Sequence, residues 1–326
     1  MEERALGNSG LRVGRLALGT MTWGRDTDEH EARDQVDSFI GAGGTLIDTA
    51  DVYADGAAEK VLGRLLAEDG RRDQLIVATK AVSRPGSERR FDASRRHILH
   101  ALDASLRRLN VEYVDVWQLH AWDPWTPIEE TLAALDIAVA SGKVRYVGVS
   151  NYSGWQIGQA ATWQKAHAGS VPLISAQVEY SLVQRGVERE VVPACEALGL
   201  GLLPWSPLGR GVLTGKYRGG TPTESRGANP TFATFVQPYL GESCGRVVDA
   251  ICTAAEGLSV QPLEVALAWV RDQPGVVAPI LGARTNAQLV SALASDALTL
   301  PSAIRQALDD ISEPDRGYPE HGWNQR

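Results

Sequence analysis

Thr45-Leu-Ile-Asp-Thr-Ala-Asp-Val-Tyr53 reads as a strand that runs straight into a loop carrying a carboxylate and a phenol. Thr45, Leu46 and Ile47 suit a strand covered on both faces, as parallel strands are. Asp48 stands at its C-terminal end and Tyr53 just beyond it. In a parallel barrel of strands and helices, that end is the side on which chemistry is built. A buried aspartate can hold a lysine, and an ammonium beside a phenol favours the phenolate. The stretch therefore poses a question that the rest of the chain must answer: whether it supplies the lysine.

Outward from this strand the chain alternates. Residues 5–18 predict a short hairpin turned at Asn8-Ser9-Gly10, followed by a first strand ending at Gly19-Thr20. The hydrophobic spacing then predicts helix 28–41, strand 45–48, helix 57–68, strand 75–80, helix 92–109, strand 114–120, helix 127–141, strand 144–150 and helix 155–168. Strand 173–178, helix 187–198, strand 201–205, helix 262–273, strand 276–280 and helix 286–293 follow, with a tail helix from Pro301. Eight β/α units with no low-complexity linker favour one (β/α)8 TIM barrel spanning 1–326, with an N-terminal β-hairpin, over two domains. The doubly wound nucleotide-binding fold requires G-x-G-x-x-G after the first strand, and Leu18-Gly-Thr-Met-Thr-Trp-Gly24 lacks that spacing. The longest interruption, 206–240 after strand 7, is rich in Gly and Pro and has the length of a lid or binding loop.

Bulk chemistry narrows the function. The chain has 326 residues, 44% of them hydrophobic and 22% charged, which is ordinary globular composition. A net charge of -8 argues against binding a nucleic-acid backbone. Cys195, Cys244 and Cys252 have no metal-ligand spacing and cannot all pair, which fits a reducing compartment. The charged start Met-Glu-Glu-Arg and the lack of an apolar run near the roughly 20 residues of a bilayer span lead to an expectation of a cytoplasmic protein with no membrane attachment. His30, His97, His100 and His167 show no zinc spacing, so no metal is expected.

The lysine is there. Leu75-Ile-Val-Ala-Thr-Lys80 ends in it, and Tyr113-Val-Asp-Val-Trp-Gln-Leu-His120 ends in a histidine. Asp48, Lys80 and His120 would project from the C-terminal ends of three successive strands, with Tyr53 on the loop after the first. Each alone has a structural explanation: an ion pair, a helix cap, a half-buried aromatic. Four together at matching strand ends point to a site, because an unpaired charge at the end of a core strand is costly.

At this point the sequence resembles the aldo-keto reductase superfamily over nearly its whole length. The resemblance is carried by the stretches 46–53 and 115–120 and by Ser94-Arg-Arg-His-Ile98 and Gly142-Lys-Val-Arg-Tyr-Val-Gly-Val-Ser-Asn151. Trp205-Ser-Pro-Leu-Gly-Arg-Gly211 and Leu281-Gly-Ala-Arg-Thr285 complete it. It implies a nicotinamide cofactor bound without a Rossmann fold and a hydride passed to the carbonyl carbon of an aldehyde, ketone or keto-sugar. Asp48, Tyr53, Lys80 and His120 fall on the family's tetrad: Tyr53 the proton donor, Lys80 held by Asp48 and lowering the phenol's pKa, His120 orienting the carbonyl. Ser150, Asn151 and Gln177 match the carboxamide-holding positions, and Trp205 the aromatic stacked on the ring. Ser206, Leu208, Arg210, Lys216 and Arg226 resemble the pyrophosphate-binding belt. Gly282, Arg284 and Gln288 match the segment that takes the adenosine phosphate end beside a helix N-terminus. Arg284 suits the fork geometry of a 2'-phosphate, so NADP(H) is favoured over NAD(H). Ser291 and Ala292 depart from the acidic residue and Asn that commonly hold the adenine.

Trp23, Tyr53, Trp122 and Trp125 suggest an apolar, partly aromatic substrate pocket on the active face. The expected partner is a small-molecule carbonyl compound, and the oligomeric state is left open. A different class of function also fits: a cofactor-binding regulatory protein like the potassium-channel β-subunits, which share this fold and tetrad. A barrel acting on phosphosugars is a weaker third, since it has no need of Gln177 and Trp205 beside the tetrad. Two nucleotide motifs fail on spacing. Gly215-Lys216 lacks the earlier glycine of a P-loop, Arg210 standing there, and Gly209-Arg-Gly211 has Thr214 where a third glycine is needed.

Overall fold

In the computed structural model, which describes residues 1–68, 70–223, 225, 227–228, 233–315 and 317–318, eight parallel strands close into a barrel. Strands β1 (Glu3–Ala5) and β2 (Arg12–Gly14) form an antiparallel hairpin. The barrel strands are β3 (Ala17–Gly19), β4 (Leu46–Asp48), β5 (Ile76–Ala81), β6 (Val114–Leu119), β7 (Val144–Ser150), β8 (Leu173–Glu179), β9 (Gly201–Trp205) and β10 (Ile280–Leu281). They pair in sequence order, with β10 returning beside β3. Around them run α1 (Glu29–Gly41), α2 (Ala57–Leu66), α3 (Arg71–Gln74), α4 (Arg95–Leu109), α5 (Ile128–Ala140) and α6 (Gly154–Ala166). The chain continues with α7 (Val191–Leu198), α8 (Ala233–Val236), α9 (Glu242–Leu258), α10 (Pro262–Arg271), α11 (Asn286–Leu293) and α12 (Ser302–Ile311). No described helix is long and apolar enough to cross a membrane.

Two apolar layers hold the architecture. One lies between strands and helices and includes Leu18, Ile47, Val77, Trp117 and Val147. The other fills the barrel's interior with Ala17, Leu46, Ala78, Val116, Ile174 and Leu203, with Leu6 of the hairpin region packed among them. Gly7 lets the hairpin seat this closely: its φ is +59°, and a Cβ there would lie 2.6 Å from the carbonyl oxygen of Gly199. The two-residue period of a strand does the sorting. Leu46 and Asp48, Ala78 and Lys80, Val116 and Gln118 are each two apart, so apolar groups fill the lower interior and polar groups stand above them.

The structure departs from the sequence reading in three places. The eighth strand, expected at 276–280, is split. Val276 bridges Leu202 of β9, whereas the ladder to β3 is made by Ile280 and Leu281. Pro279 between them has no N–H to donate, and its carbonyl accepts from Ala17. The helix expected at 187–198 begins at Val191 after a 3₁₀ turn at Gly186–Glu188. Pro193 is tolerated only within a first turn, which fixes that start. The reading assigned no element to α9, whose Gly245, Gly257, Ser243 and Thr253 all lower helix propensity. Its buried stripe of Val247, Val248, Ile251, Cys252 and Ala255 nevertheless carries the helical period, and packing overrides propensity.

Candidate active site

Asp48 is the hub of the barrel's upper interior. Its Oδ2 accepts from Lys80 Nζ at 2.6 Å, and its Oδ1 accepts from Gln177 Nε2 at 2.8 Å and from Gln118 Nε2 at 3.4 Å. Lys80 Nζ also donates to the Thr49 carbonyl at 2.8 Å and to Tyr53 Oη at 3.3 Å. The Lys80 side chain is 0% exposed. Burial alone would pull its pKa down, but the Asp48 carboxylate and Tyr53 outweigh that and leave it raised, so Lys80 stays charged. A charge this deep persists because every face of it is answered.

Tyr53 opens a strained 3₁₀ turn. Ala54 and Asp55 have φ of 47° and 53°, left-handed values that non-glycine residues seldom adopt. The turn carries the phenol back over Lys80, with Nζ 5.0 Å from the ring centroid. The expectation that Lys80 brings the phenol's pKa below its ordinary value needs correction. Burial pushes it up, Lys80 pulls against that, Asp48 and Asp51 add to the rise, and the net direction is upward. At rest the phenol is neutral and holds its proton.

His120 stands edge-on to Tyr53, ring centroids 6.1 Å apart at 83°. Burial, helped by the Lys80 charge, lowers its pKa to about 3, so the imidazole is neutral at any ordinary pH. Its Nδ1 is buried and has no protein partner among the described residues. The backbone is held on both sides: the N–H donates to Ala81 and the carbonyl accepts from Asn151 Nδ2 at 3.0 Å.

The nicotinamide-end candidates meet at the ends of β7, β8 and β9. Ser150 accepts from Asn151 at 3.1 Å, and Asn151 Oδ1 accepts from the Trp205 indole N–H at 3.0 Å. Gln177 is tied to Asp48, which links this cluster to the tetrad. The phosphate-end candidates are less free. Arg210 forms a two-pronged ion pair with Glu179, at 2.8 and 2.7 Å, and also donates to the Phe235 carbonyl. Its guanidinium lies 3.5 Å over the Phe235 ring, which is itself parallel to Trp205 at 6.4 Å. Ser206 has φ 50°, the Leu208 carbonyl accepts from Gly211 and Leu213, and Lys216 Nζ lies 5.3 Å from the Tyr217 ring centroid. Arg226 lies outside the described residues. The exposed Gly282 precedes Arg284, whose backbone N–H donates to Gln288 Oε1 at 3.0 Å. The first turn of α11 was expected to face an anion. There Glu31 of α1 accepts from the Asn286 N–H, so a carboxylate of the chain satisfies that one amide.

Trp23 does not line a pocket. It is 0% exposed, and its indole N–H donates to Gln35 Oε1 at 3.0 Å inside the strand–helix layer. Trp122 is partly buried and contacts Tyr152 and Trp155 edge-on, at 5.2 and 5.3 Å. Trp155 is 60% exposed and Trp125 is 77% exposed. The sequence reading missed Gln118 and Trp155. Gln118 shares the parity of Val116 and His120, so the strand period alone places it inward. Trp155 gave no such signal, because its position depends on how α6 docks. No group of residues able to hold a metal ion occurs among those described.

The donor set fits a flat, neutral carboxamide-bearing ring: hydroxyl, amide and amide beside an indole at three adjacent strand ends. At the phosphate end the cations are present, with Arg210 held by Glu179.

Comparison with known proteins agrees with this arrangement. A model of the "Aldo/keto reductase family" matches residues 15–313. "Uncharacterized oxidoreductase YrpG" of Bacillus subtilis (strain 168) is 36% identical over 326 residues, covering 95% of this chain and 96% of its own. A protein of Oryza sativa subsp. japonica named "Probable voltage-gated potassium channel subunit beta" is 37% identical over 295 residues, 89% of each chain. An Arabidopsis thaliana protein of the same name is 36% identical over 327 residues, 98% of each chain. With the tetrad gathered at the C-terminal mouth of an eight-stranded parallel barrel, and relatives aligned almost end to end, the chain belongs to the aldo/keto reductase family.

Proposed function

We propose that the chain is an NADPH-dependent reductase that converts the carbonyl of an aldehyde, ketone or keto-sugar to an alcohol. The carrying observation is the buried line Asp48–Lys80–Tyr53, which ends in a neutral phenol beside a neutral imidazole. When bound, the reduced nicotinamide supplies the hydride. Ser150, Asn151 and Gln177 would hold the carboxamide, and Trp205 would offer its indole face to the ring. Arg284 and Gln288 would take the 2'-phosphate end, and Arg210 would supply positive charge toward the pyrophosphate.

As negative charge develops on the substrate oxygen, Tyr53 Oη gives it a proton. Lys80, 3.3 Å away, stabilises the phenolate left behind. A neutral His120 offers that oxygen a hydrogen bond without carrying a charge of its own. Asp48, braced by Gln118 and Gln177, keeps Lys80 charged and aimed. Trp122 and the exposed Trp155 form an aromatic wall where apolar substrate surface rests.

The test is the loss of nicotinamide absorbance when the purified protein meets NADPH and a reactive aromatic aldehyde, run in parallel with NADH. Tyr53→Phe is expected to lower turnover at least about 10²-fold, the scale of a positioned proton donor, while cofactor quenching of tryptophan fluorescence persists. Retention of most activity by that variant would overturn the mechanism.

A second reading, favoured by the names of the plant relatives, is a nicotinamide-binding regulatory subunit with slow or vestigial turnover. It predicts a stable hetero-assembly in sedimentation and co-purification. Rapid turnover by a solitary monomer would exclude it.

A further inference from the structure

The loop that delivers Tyr53 carries a second, half-buried carboxylate which the tetrad does not use. Asp51 lies two residues before Tyr53, and its backbone N–H donates to the Lys80 carbonyl at 3.2 Å. Its Oδ1 is buried with no hydrogen-bond partner among the described residues.

The neighbouring groups leave Oδ1 of this carboxylate unmatched. Glu59 of α2 has a fully buried side chain whose bonds are taken: Oε1 accepts from the Thr79 hydroxyl at 2.6 Å, and Oε2 from Arg108 Nε at 2.6 Å. Arg108 of α4 is thus the cation near two acids, and its hydrogen bonds go to Glu59 and to Ser105. Burial first, and the Glu59 charge second, raise the Asp51 carboxyl to about 7 against the pull of Arg108, the Val52 amide and Lys80. The coupling also runs forward. A charged Asp51 adds, with Asp48, to the forces that keep the proton on Tyr53, against the attraction of Lys80.

We propose that Asp51 is a positioning residue for proton donation by Tyr53: as a neutral acid it leaves the phenol free to give up its proton, and as a carboxylate it holds that proton in place. The charged groups around the pair are Glu59 from α2, Arg108 from α4, Lys80 from β5 and Asp48 from β4. The proposal rests on the reductase reading, with Tyr53 as the donor.

Two measurements test it. In cofactor-free protein labelled with 13C at aspartate carboxyls, one resonance is expected to titrate near pH 7 and to be missing in Asp51→Asn. Glu59→Gln, which removes the facing charge, is expected to move that midpoint to lower pH. In the reductase assay, kcat/KM for carbonyl reduction is expected to fall about 3- to 10-fold as pH rises from 6 to 8.5, a change in the phenol's acidity of about half to one pKa unit. Asp51→Asn, a near-isostere that stays neutral, is expected to flatten that limb. No aspartate resonance titrating above pH 6, or an Asp51→Asn profile superimposable on the wild type while Tyr53→Phe is inactive, overturns this inference and leaves the reductase reading standing. An active Tyr53→Phe brings down both.

Discussion

The wall formed by β4, β5 and β6 and the stretch 206–214 that follows β9 both lie at the C-terminal end of the barrel, yet they were built by different rules. On the wall, Asp48, Lys80 and Gln118 point inward because strand side chains alternate and the ladder fixes their heights: Asp48 pairs with Ala78, and Lys80 with Gln118. In the segment, side chains end up wherever the loop folds. Arg210 lies against Glu179 and Phe235 instead of facing open solvent. Direction on a strand follows from parity, whereas direction in a loop follows from partners that can be far away in sequence.

The sharpest way to break the comparison is to attack the wall. Lys80→Met removes the charge and leaves Asp48 buried with only its amide donors, so a loss of about 3–5 kcal/mol in urea unfolding is expected, along with turnover. A fully stable variant would mean that Asp48 is answered some other way.

Trp23 and Trp122 test whether an aromatic belongs to wall packing or to the mouth. Trp23→Ala, inside the strand–helix layer, is expected to cost about 3–5 kcal/mol of stability. Trp122→Ala is expected to cost less than half as much, while raising KM for aromatic aldehydes several-fold. If both variants lost stability equally and KM held, Trp122 would belong to the packing.

His120 sharpens the comparison through pH. Its folded pKa is depressed to about 3, so between the ordinary histidine pKa and that value the unfolded chain takes up a proton that the folded chain refuses. Stability is therefore expected to fall as pH drops from about 6.5 toward 3, by up to about 1.4 kcal/mol per pH unit. His120→Asn is expected to lose that share of the slope, as read by denaturation at a series of pH values.

The smallest expected effect lies in the loop. Arg210→Ala releases Glu179 and Phe235 and is expected to cost about 1 kcal/mol of stability, since exposed or partly exposed ion pairs contribute little. The same change is expected to weaken NADPH binding more than tenfold, measured by fluorescence quenching. Unchanged affinity would show that Arg210 serves Glu179 alone.

Much of the barrel was legible because alternation and apolar period survive in local sequence. Helix α1 begins beside the cap Asp28 and strands β7 and β9 have the expected limits, since their signals lie within a few residues. Helix α9 was not legible, because glycine and serine obscured a stripe that only packing made decisive. Trp23 and Trp122 looked alike as aromatics after strands; a hydrogen bond to Gln35, twelve residues on, drew one into the core.

By itself the sequence determined the order of the barrel strands and of most helices between them, the inward parity of Asp48, Lys80 and His120, and the residue types available for proton transfer. Those properties are periodic or compositional, and each is written within one element. Tertiary structure decided that burial outweighs Lys80 at the Tyr53 phenol, that Glu31 accepts from the Asn286 amide at the start of α11, that Arg210 is held by Glu179, and that Asp51 Oδ1 is left without a hydrogen-bond partner. Each of these is a balance of desolvation and charge among groups on different elements, and no single stretch of chain contains it.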